Sequence, residues 1–433
     1  MHADRRPGDT PATLCLFVES EAVGGTELAM ASLLRSLDLT RWRPVLVHHG
    51  SADLAPLVAE LSALGVRDVV VPALPEGPRG TTAIPALVRT LRELRPQIFH
   101  ARLTNPNGCK FALAAAIAAR VPAVVASVHA FPPEGMTRPA LAQRRLLARG
   151  VTRYAVPSAH AARQLNAMIP ATRTRTTVIH NGVDLRRFEV MADPSLRRRL
   201  TADGRRSAIL VPARLDDRKG HRFLFEAVRD LQGVQVIVAG SGPHQPELER
   251  LAEALGIAER VDFLGFREDM AQLYAASDAV VLPTLNEAFG NVVLEGLAAA
   301  RPVIVTRVGG PEEIVVDGES GLLVPPADAG ALHAALRSLR DDPLLGRRLA
   351  EGGRRRAEEC FSMERCAERW SQLYAGVLGR GPARIDDQGQ RRSQRSSRRS
   401  NSSPVQSPTP TRGSWNGSLD RDSARSQTAP ADV

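Results

Sequence analysis

The feature that most constrains this chain is the alternation of short, unbroken apolar runs with longer stretches of helical pattern. Runs such as VQVIVAG and DAVVLP lack the polar alternation of a half-exposed strand. Strands read this way when crossover helices cover both faces of a parallel sheet. Two such series occur. The first predicts strands at 12–18, 44–49, 67–72, 97–100, 122–128, 151–156 and 176–180. The second predicts them at 208–213, 234–239, 260–264, 278–283, 302–306 and 321–324. Between them the Asn181-Gly182 turn and the charged stretch DLRRFEVMADPSLRRRLTADGRR break the rhythm, so the junction falls near 182–205. With 433 residues and 43% apolar content, the chain can bury two cores. The predicted class is therefore α/β, with two Rossmann-like doubly wound domains at 1–185 and 186–360. A last helix at about 362–378, within a segment 361–380, closes the folded part.

Beyond it the chain becomes RRSQRSSRRSNSSPVQSPTPTRGS, with too little apolar material to fold, so 381–433 is expected to be a disordered basic Ser/Pro-rich tail. From residue 381 onward nine Arg face five Asp, which leaves most of the net charge of +10 on the body. Basic charge of this size permits contact with phosphates, anionic lipid or nucleic acid without choosing among them. The tail carries one Trp and no RNA-binding motif, so only its charge speaks for nucleic acid. The apolar stretch FALAAAIAA at 111–119 stops at Arg120 and Pro122, too short to span a membrane, and reads as a buried helix. The first residues hold only a strand-like apolar run, so no signal peptide is expected and a cytoplasmic location follows. Cys15, Cys109, Cys360 and Cys366 form no CxxC pair and no zinc site, and reduced thiols are expected.

In open parallel sheets, ligands bind outside the carboxyl ends of strands, where helix N-termini offer unpaired N–H groups that suit phosphate. Three loops of the second half carry suitable groups there. In VPARLDDRKGH, Arg214 and Lys219 bracket the loop after strand 208–213, and both can reach one diphosphate. Lys219 is one of only two Lys, the other being Lys110, among 57 basic residues. A solvated basic loop is the alternative. In VIVAGSGPHQPEL, Gly240 and Gly242 follow a buried strand and allow either close approach of a ligand or a simple turn. The third loop, LPTLNEAFGNVVLEGLAAARP, is the most specific. It holds Glu287, Phe289 and Gly290, and a helix beginning near Asn291 carries Glu295 just over one turn in. Amides around Gly290 to Val292 can face a phosphate. Carboxylates suit diols because they offer several acceptor positions and no donor, so Glu295 fits a ribose and Glu287 the hydroxyls of a sugar.

These residues resemble the family 4, or group 1, retaining glycosyltransferases with the GT-B fold. The likeness covers residues 12–378 and rests on GGTELAM at 24–30, VIHNGVDLRRF at 178–188, ARLDDRKG at 213–220, VAGSGP at 238–243, FLGF at 263–266, EAFGNVVLE at 287–295 and VGGPEEIVVDGESGLLVPP at 308–326. The resemblance implies two domains facing across a cleft, with the last helix crossing back to the first. It implies a nucleotide diphosphate sugar as donor, UDP or GDP before other bases, and a hexose-type sugar moved to a glycan or lipid-linked acceptor in polysaccharide biosynthesis. On this likeness Arg214 and Lys219 bind the diphosphate, Glu295 the ribose, and Glu287 the donor sugar with help from amides of Phe289, Gly290, Asn291 and Val292. Gly240 joins the donor-binding set, and the backbone around Phe266 and Arg267 borders the base. Gly24 and Gly25 match the family's glycine loop near the phosphates and acceptor; a helix-capping turn is the alternative. His129, at the end of strand 122–128, matches a family His that contacts the transferred sugar; a purely structural His is the alternative.

Retention is implied through front-side attack, in which the leaving diphosphate helps to deprotonate the acceptor. No DxD-like motif stands out in the cleft loops and Asp216-Asp217 reads as a solvated turn, so no metal ion or other cofactor is expected. The stretch TRPALAQRRLLARGVTR at 137–153, with Arg138, Arg144, Arg145, Arg149 and Arg153, reads as a solvated helix or as one resting on an anionic membrane in peripheral contact. A nucleotide-sugar epimerase or hydrolase of the same fold, or a non-catalytic nucleic-acid-binding scaffold, remains as an alternative.

Overall fold

The computed structural model describes residues 10–20, 24–74, 78–131, 136–201 and 204–379, and the tail expected to be disordered lies outside them. Within this range thirteen strands form two all-parallel sheets. The first comprises β1 (Ala12–Val18), β2 (Trp42–His48), β3 (Arg67–Val70), β4 (Ile98–Leu103), β5 (Ala123–Val128), β6 (Arg153–Val156) and β7 (Thr176–Val178) in the order β3-β2-β1-β4-β5-β6-β7. The second comprises β8 (Ser207–Pro212), β9 (Val234–Ala239), β10 (Val261–Phe263), β11 (Ala279–Leu282), β12 (Val303–Thr306) and β13 (Leu322–Val324) in the order β10-β9-β8-β11-β12-β13. Every predicted strand forms, with ends displaced by at most three residues.

The unbroken apolar runs have the cause expected of them. In β1, Leu14, Leu16 and Val18 enter one core while Cys15 and Phe17 enter the core on the opposite face. In β8, Ala208 and Leu210 face one way and Ile209 and Val211 the other, again into two separate cores. Each sheet reverses its strand order once, between β1 and β4 in the first and between β8 and β11 in the second. Loops leaving such a reversal point diverge to opposite faces and open a crevice for ligands.

The chain passes between the lobes twice, and the two passages are bonded to each other. Val183 N donates to Phe361 O at 2.8 Å, and Met363 N donates to Val183 O at 3.1 Å. The helix Met363–Val377 then packs on the first lobe, where Met363, Trp370, Leu373 and Tyr374 join the core of Leu14 and Leu16. Trp42 Nε1 donates to Ser371 Oγ at 2.7 Å, so the predicted return of the last helix is sealed by a buried bond. The lobes also touch directly: Ser158 Oγ donates to Ala288 O at 2.6 Å.

One expectation is corrected. In the helix Arg138–Leu147 it is Arg144 that is buried, whereas Leu146 is 62% exposed. Arg144 donates from Nε to Pro106 O and from Nη2 to Gly108 O, the latter at 2.6 Å. The loop after β4 leaves carbonyls without ladder partners, and a guanidinium satisfies two of them at once. Arg144 therefore belongs neither to solvent nor to a membrane face, while Arg138, Arg145 and Arg149 stay exposed. No helix among the described residues is long and apolar enough to cross a membrane. All four cysteines are free thiols, and three of them are buried.

Trp370 is 4% exposed and packs at 4.7 Å from the His100 ring and 5.6 Å from that of Tyr374. Trp370→Ala is expected to destabilise the protein by about 3–5 kcal/mol, the range for emptying a buried aromatic site. A lowered urea midpoint would register this, and an unchanged midpoint would mean that the returning helix is not part of the first lobe's core.

Candidate active site

Because β8 and β11 are neighbours at the reversal point, the loops after them lie side by side. Their backbones are tied: Leu285 N donates to Arg218 O at 2.6 Å and Thr284 Oγ1 to the same oxygen at 2.9 Å. This brings Lys219 Nζ to 2.6 Å from Glu287 Oε2, with only 19% and 17% of the side chains exposed. The sequence assigns these residues to different parts of a ligand, and in the structure each is the other's partner. Shielding from water makes such a pair stronger than a surface one.

Arg214 belongs to the same cluster but is 70% exposed, 3.7 Å from Asp216 Oδ2. Asp216 is not the solvated turn that the sequence suggests. Its carboxylate accepts from Arg218 N at 3.2 Å and Arg218 Nη2 at 3.0 Å, capping a 3₁₀ turn at Asp217–Lys219. Burial pushes its carboxyl pKa up, but the Arg218 bond and the charges of Arg218, Lys219 and Arg214 outweigh this and hold it below the usual value. That turn comes first, and the following helix starts at His221.

The loop with Glu287 is braced from several sides. Gly310 N donates to Glu287 O at 3.0 Å. Phe289 is buried and stacks on His180 of the first passage, ring centres 5.7 Å apart. Asn181 Nδ2 donates to Asn291 Oδ1 at 2.8 Å. Gly290, at φ 100°, makes the left-handed turn into the helix Asn291–Ala298, so its first amides and Val292 stand at a helix start. Half-buried Glu295 accepts from Tyr274 OH at 2.8 Å. Burial raises the carboxyl pKa of Glu295, and the Tyr274 bond and the charge of Arg187 offset part of that rise.

The remaining second-lobe residues divide. Gly240 N donates to Gly265 O at 2.8 Å, and a Cβ at Gly240 would collide with the carbonyl of Ala213. Close packing against the end of β8 thus requires a glycine here. Phe266 is 70% exposed, and Arg267 is forked onto Asp269 at 2.8 and 2.6 Å, so neither side chain is tied into the Lys219–Glu287 cluster. Asp217 and His244, after β8 and β9, gather with Glu247 of the helix Gln245–Ala254, His244 Nδ1 lying 2.9 Å from Asp217 and 3.6 Å from Glu247.

In the first lobe Gly24 precedes the helix Gly25–Ser36, and Gly24 N donates to Glu27 Oε2 at 3.0 Å. The capping role is therefore real. His129 follows β5, and its Nε2 lies 3.0 Å from Ser127 Oγ. Burial, and after it the charges of Arg102 and His100, hold the His129 pKa well below the ordinary histidine value. A cavity of about 420 Å³ opens beside it, lined by Thr104, Asn105, Asn107, Phe131 and Thr137 of the first lobe and by Arg218 of the second.

Two residues escaped the sequence reading. Tyr274 sits in MAQLYAASD, where a phenol in a mostly apolar helix was the available signal. Glu313 accepts from Ala159 N at 2.9 Å, His160 N at 3.0 Å and His180 Nε2 at 3.3 Å, and so joins the lobes next to the Glu287 loop. Burial raises the Glu313 pKa, but those three bonds and the His180 charge carry it below the usual value. Its position in VGGPEEIVV shows only two adjacent acids at a helix start.

Tyr274→Phe removes the bond that lowers the Glu295 pKa and leaves burial opposed by Arg187 alone. Glu295 is then expected to take up its proton at a higher pH than in the wild type. A carboxyl ¹³C NMR titration of both proteins measures this, and coincident curves would show that the Tyr274 bond does not govern Glu295.

Comparison with known proteins identifies the family and the fold. Residues 193–356 match the model described as glycosyl transferases group 1, and residues 23–187 that of glycosyltransferase family 4. The lipopolysaccharide core biosynthesis glycosyltransferase LpsE of Rhizobium meliloti (strain 1021) is 37% identical over 167 residues, 39% of this chain and 49% of LpsE. The D-inositol 3-phosphate glycosyltransferase of Geodermatophilus obscurus is 37% identical over 240 residues, 52% of each chain. The chain thus spans about half the length of the curated relatives it matches. The crystal structure of Anabaena HepE, in complex with UDP and glucose, superposes with a TM-score of 0.72 over 84% of this chain and 99% of that one, at 24% identity. Both halves match their models in order, and two facing parallel sheets share the HepE architecture: the chain belongs to the group 1 glycosyltransferases and has the GT-B fold.

Proposed function

We propose that this chain is a retaining transferase that moves a hexose-type sugar from a nucleotide diphosphate, UDP or GDP, to a glycan or lipid-linked acceptor. The observation that carries the reading is the Lys219–Glu287 contact at 2.6 Å. A donor needs a cation where its diphosphate departs and a carboxylate where its sugar hydroxyls lie, and here the two are adjacent. On binding, Lys219 and the exposed Arg214 turn to the diphosphate, Glu287 to the sugar and Glu295 to the ribose. The amides from Phe289 to Val292 complete the phosphate pocket, the backbone at Phe266 and Arg267 borders the base, and Gly24, Gly25 and Gly240 let the backbone come close. The HepE structures in complex with UDP and glucose and with UDP-glucose lend support.

The bond from the anomeric carbon to the diphosphate oxygen breaks, and its electron pair goes to the diphosphate. Cationic side chains and helix amides stabilise that growing charge, so the reaction runs without a metal ion. The acceptor hydroxyl attacks from the same face and gives its proton to the departing diphosphate oxygen. The cavity at Thr104, Asn105, Asn107 and Thr137 admits the acceptor, since amide and hydroxyl groups match sugar hydroxyls. His129 meets the transferred sugar. Arg138, Arg145, Arg149 and the exposed Leu146 form a basic, partly apolar face for peripheral contact with the inner, cytoplasmic side of a membrane.

Lys219→Ala and Glu295→Ala are each expected to lower transfer by about a hundredfold or more while circular dichroism stays unchanged. Full activity in either variant would remove the assigned site. A thermal-shift series with UDP- and GDP-sugars identifies the base, because a ligand that binds only the folded protein raises its melting temperature. Nucleotide release without an acceptor-linked product would make the protein a hydrolase instead. Co-sedimentation with anionic vesicles should fall when Arg138, Arg145 and Arg149 become Gln; equal binding by both proteins would dispose of the membrane face.

A further inference from the structure

At the carboxyl edge of the first sheet four side chains form an unbroken line of hydrogen bonds. Tyr374 OH lies 2.8 Å from His100 Nδ1, His100 Nε2 lies 2.9 Å from Ser127 Oγ, and Ser127 Oγ lies 3.0 Å from His129 Nε2. Strand alternation sets this up. Ile98 of β4 and Ala123 and Val125 of β5 enter the core shared with the helix Met363–Val377, and His100, Arg102 and Ser127 continue the same faces. Tyr374 and His100 are wholly buried and Ser127 is 1% exposed. Burial, reinforced by the Arg102 charge, keeps both imidazoles neutral, so each ring has one N–H and one acceptor nitrogen.

A neutral imidazole that donates at one nitrogen must accept at the other. The buried Ser127 hydroxyl, whose partners among the described residues are the two rings, has one hydrogen that only they can take, so only two arrangements use that hydrogen and every contact of the line. The Tyr374 end selects between them. Its phenol is the strongest donor in the line, and the Arg102 charge beside its oxygen favours an O–H turned toward His100. Tyr374 then donates to His100 Nδ1, His100 Nε2–H donates to Ser127 Oγ, and Ser127 O–H donates to His129 Nε2. The hydrogen of His129 is left on Nδ1.

We propose that Tyr374, His100 and Ser127 are positioning residues that hold His129 in its Nδ1–H form, so that the imidazole offers a donor to an oxygen of the transferred sugar. This rests on the reading above in which His129 meets that sugar. The returning helix thereby has a second task besides closing the first lobe: it sets the hydrogen-bond polarity of a residue in the cleft.

The test is a long-range ¹H–¹⁵N spectrum of the full chain labelled with ¹⁵N-histidine, with the His129 signals assigned by their loss in His129→Gln. The wild type is expected to carry its hydrogen on Nδ1. Tyr374→Phe and Ser127→Ala should move it wholly or partly to Nε2 and lower kcat about tenfold with donor KM unchanged, the effect of one well-placed hydrogen bond. Ser127→Thr, which keeps the hydroxyl, should restore both tautomer and rate. A wild type with its hydrogen on Nε2 overturns the proposal without any variant, and so does an unchanged tautomer in both Tyr374→Phe and Ser127→Ala. If the tautomer follows the line but His129→Gln keeps full activity, the sugar contact fails while the line itself stands.

Discussion

The pairing of the loops after β8 and β11 is the constraint from which the rest of the second lobe follows. Sheet order makes the two strands neighbours, and the Arg218 carbonyl bonds to both Thr284 and Leu285, so Lys219 and Glu287 have little choice but to meet. Taking either charge out of water alone would be costly, and the ion pair removes most of that cost while no ligand is bound. A ligand that replaces the pair must therefore satisfy both groups at once. An anion alone would strand Glu287, and a neutral polyol alone would strand Lys219. A molecule carrying phosphates next to hydroxyls answers both, which is why the pair speaks for a sugar nucleotide more strongly than either residue does singly.

The same loop is also a joint between the lobes. Ala288 O takes a bond from Ser158, Phe289 stacks on His180, and Asn291 is bonded to Asn181. Glu313, one short helix away, holds the start of the helix Ala159–Met168 with both carboxylate oxygens. Side chains from both lobes thus determine the position of Glu287. Any relative motion of the lobes has to pass through this joint, so ligand binding at the loop and lobe geometry are coupled by direct contact rather than by distance.

How much of this was legible in the sequence follows from which physical signals are local. Apolar periodicity is local, and all thirteen strands and the returning helix were readable from it. Spacing within one loop and its helix is local too, and it put Glu287, Gly290 and Glu295 where they stand. What failed was partner choice. Arg144 looked like a surface charge because nothing nearby in sequence shows that Pro106 and Gly108 carbonyls await it. Asp216 looked solvated because its arginine partner, two residues on, could as well have turned to water. Tyr274 and Glu313 were missed because their partners lie on other elements, and one polar residue on a mostly apolar helix carries no message until those elements are docked.

The two lobes answer the reversal point of their sheets with opposite electrostatics. In the second, the loop cations are lightly held: Arg214 is largely exposed and Lys219 is paired with a single carboxylate. In the first, the cation at the matching strand end, Arg102, is buried, with the charge of the buried Glu27 acting on it. A buried and balanced cation cannot move out to meet a phosphate, but its field still reaches His100 and His129 and keeps both rings uncharged. Neutral rings can orient hydroxyls without attracting anions. The fold therefore gives one lobe the means to hold charge and the other the means to orient neutral groups, and under the proposed function a donor with a charged end and a sugar end would lie across them in one direction.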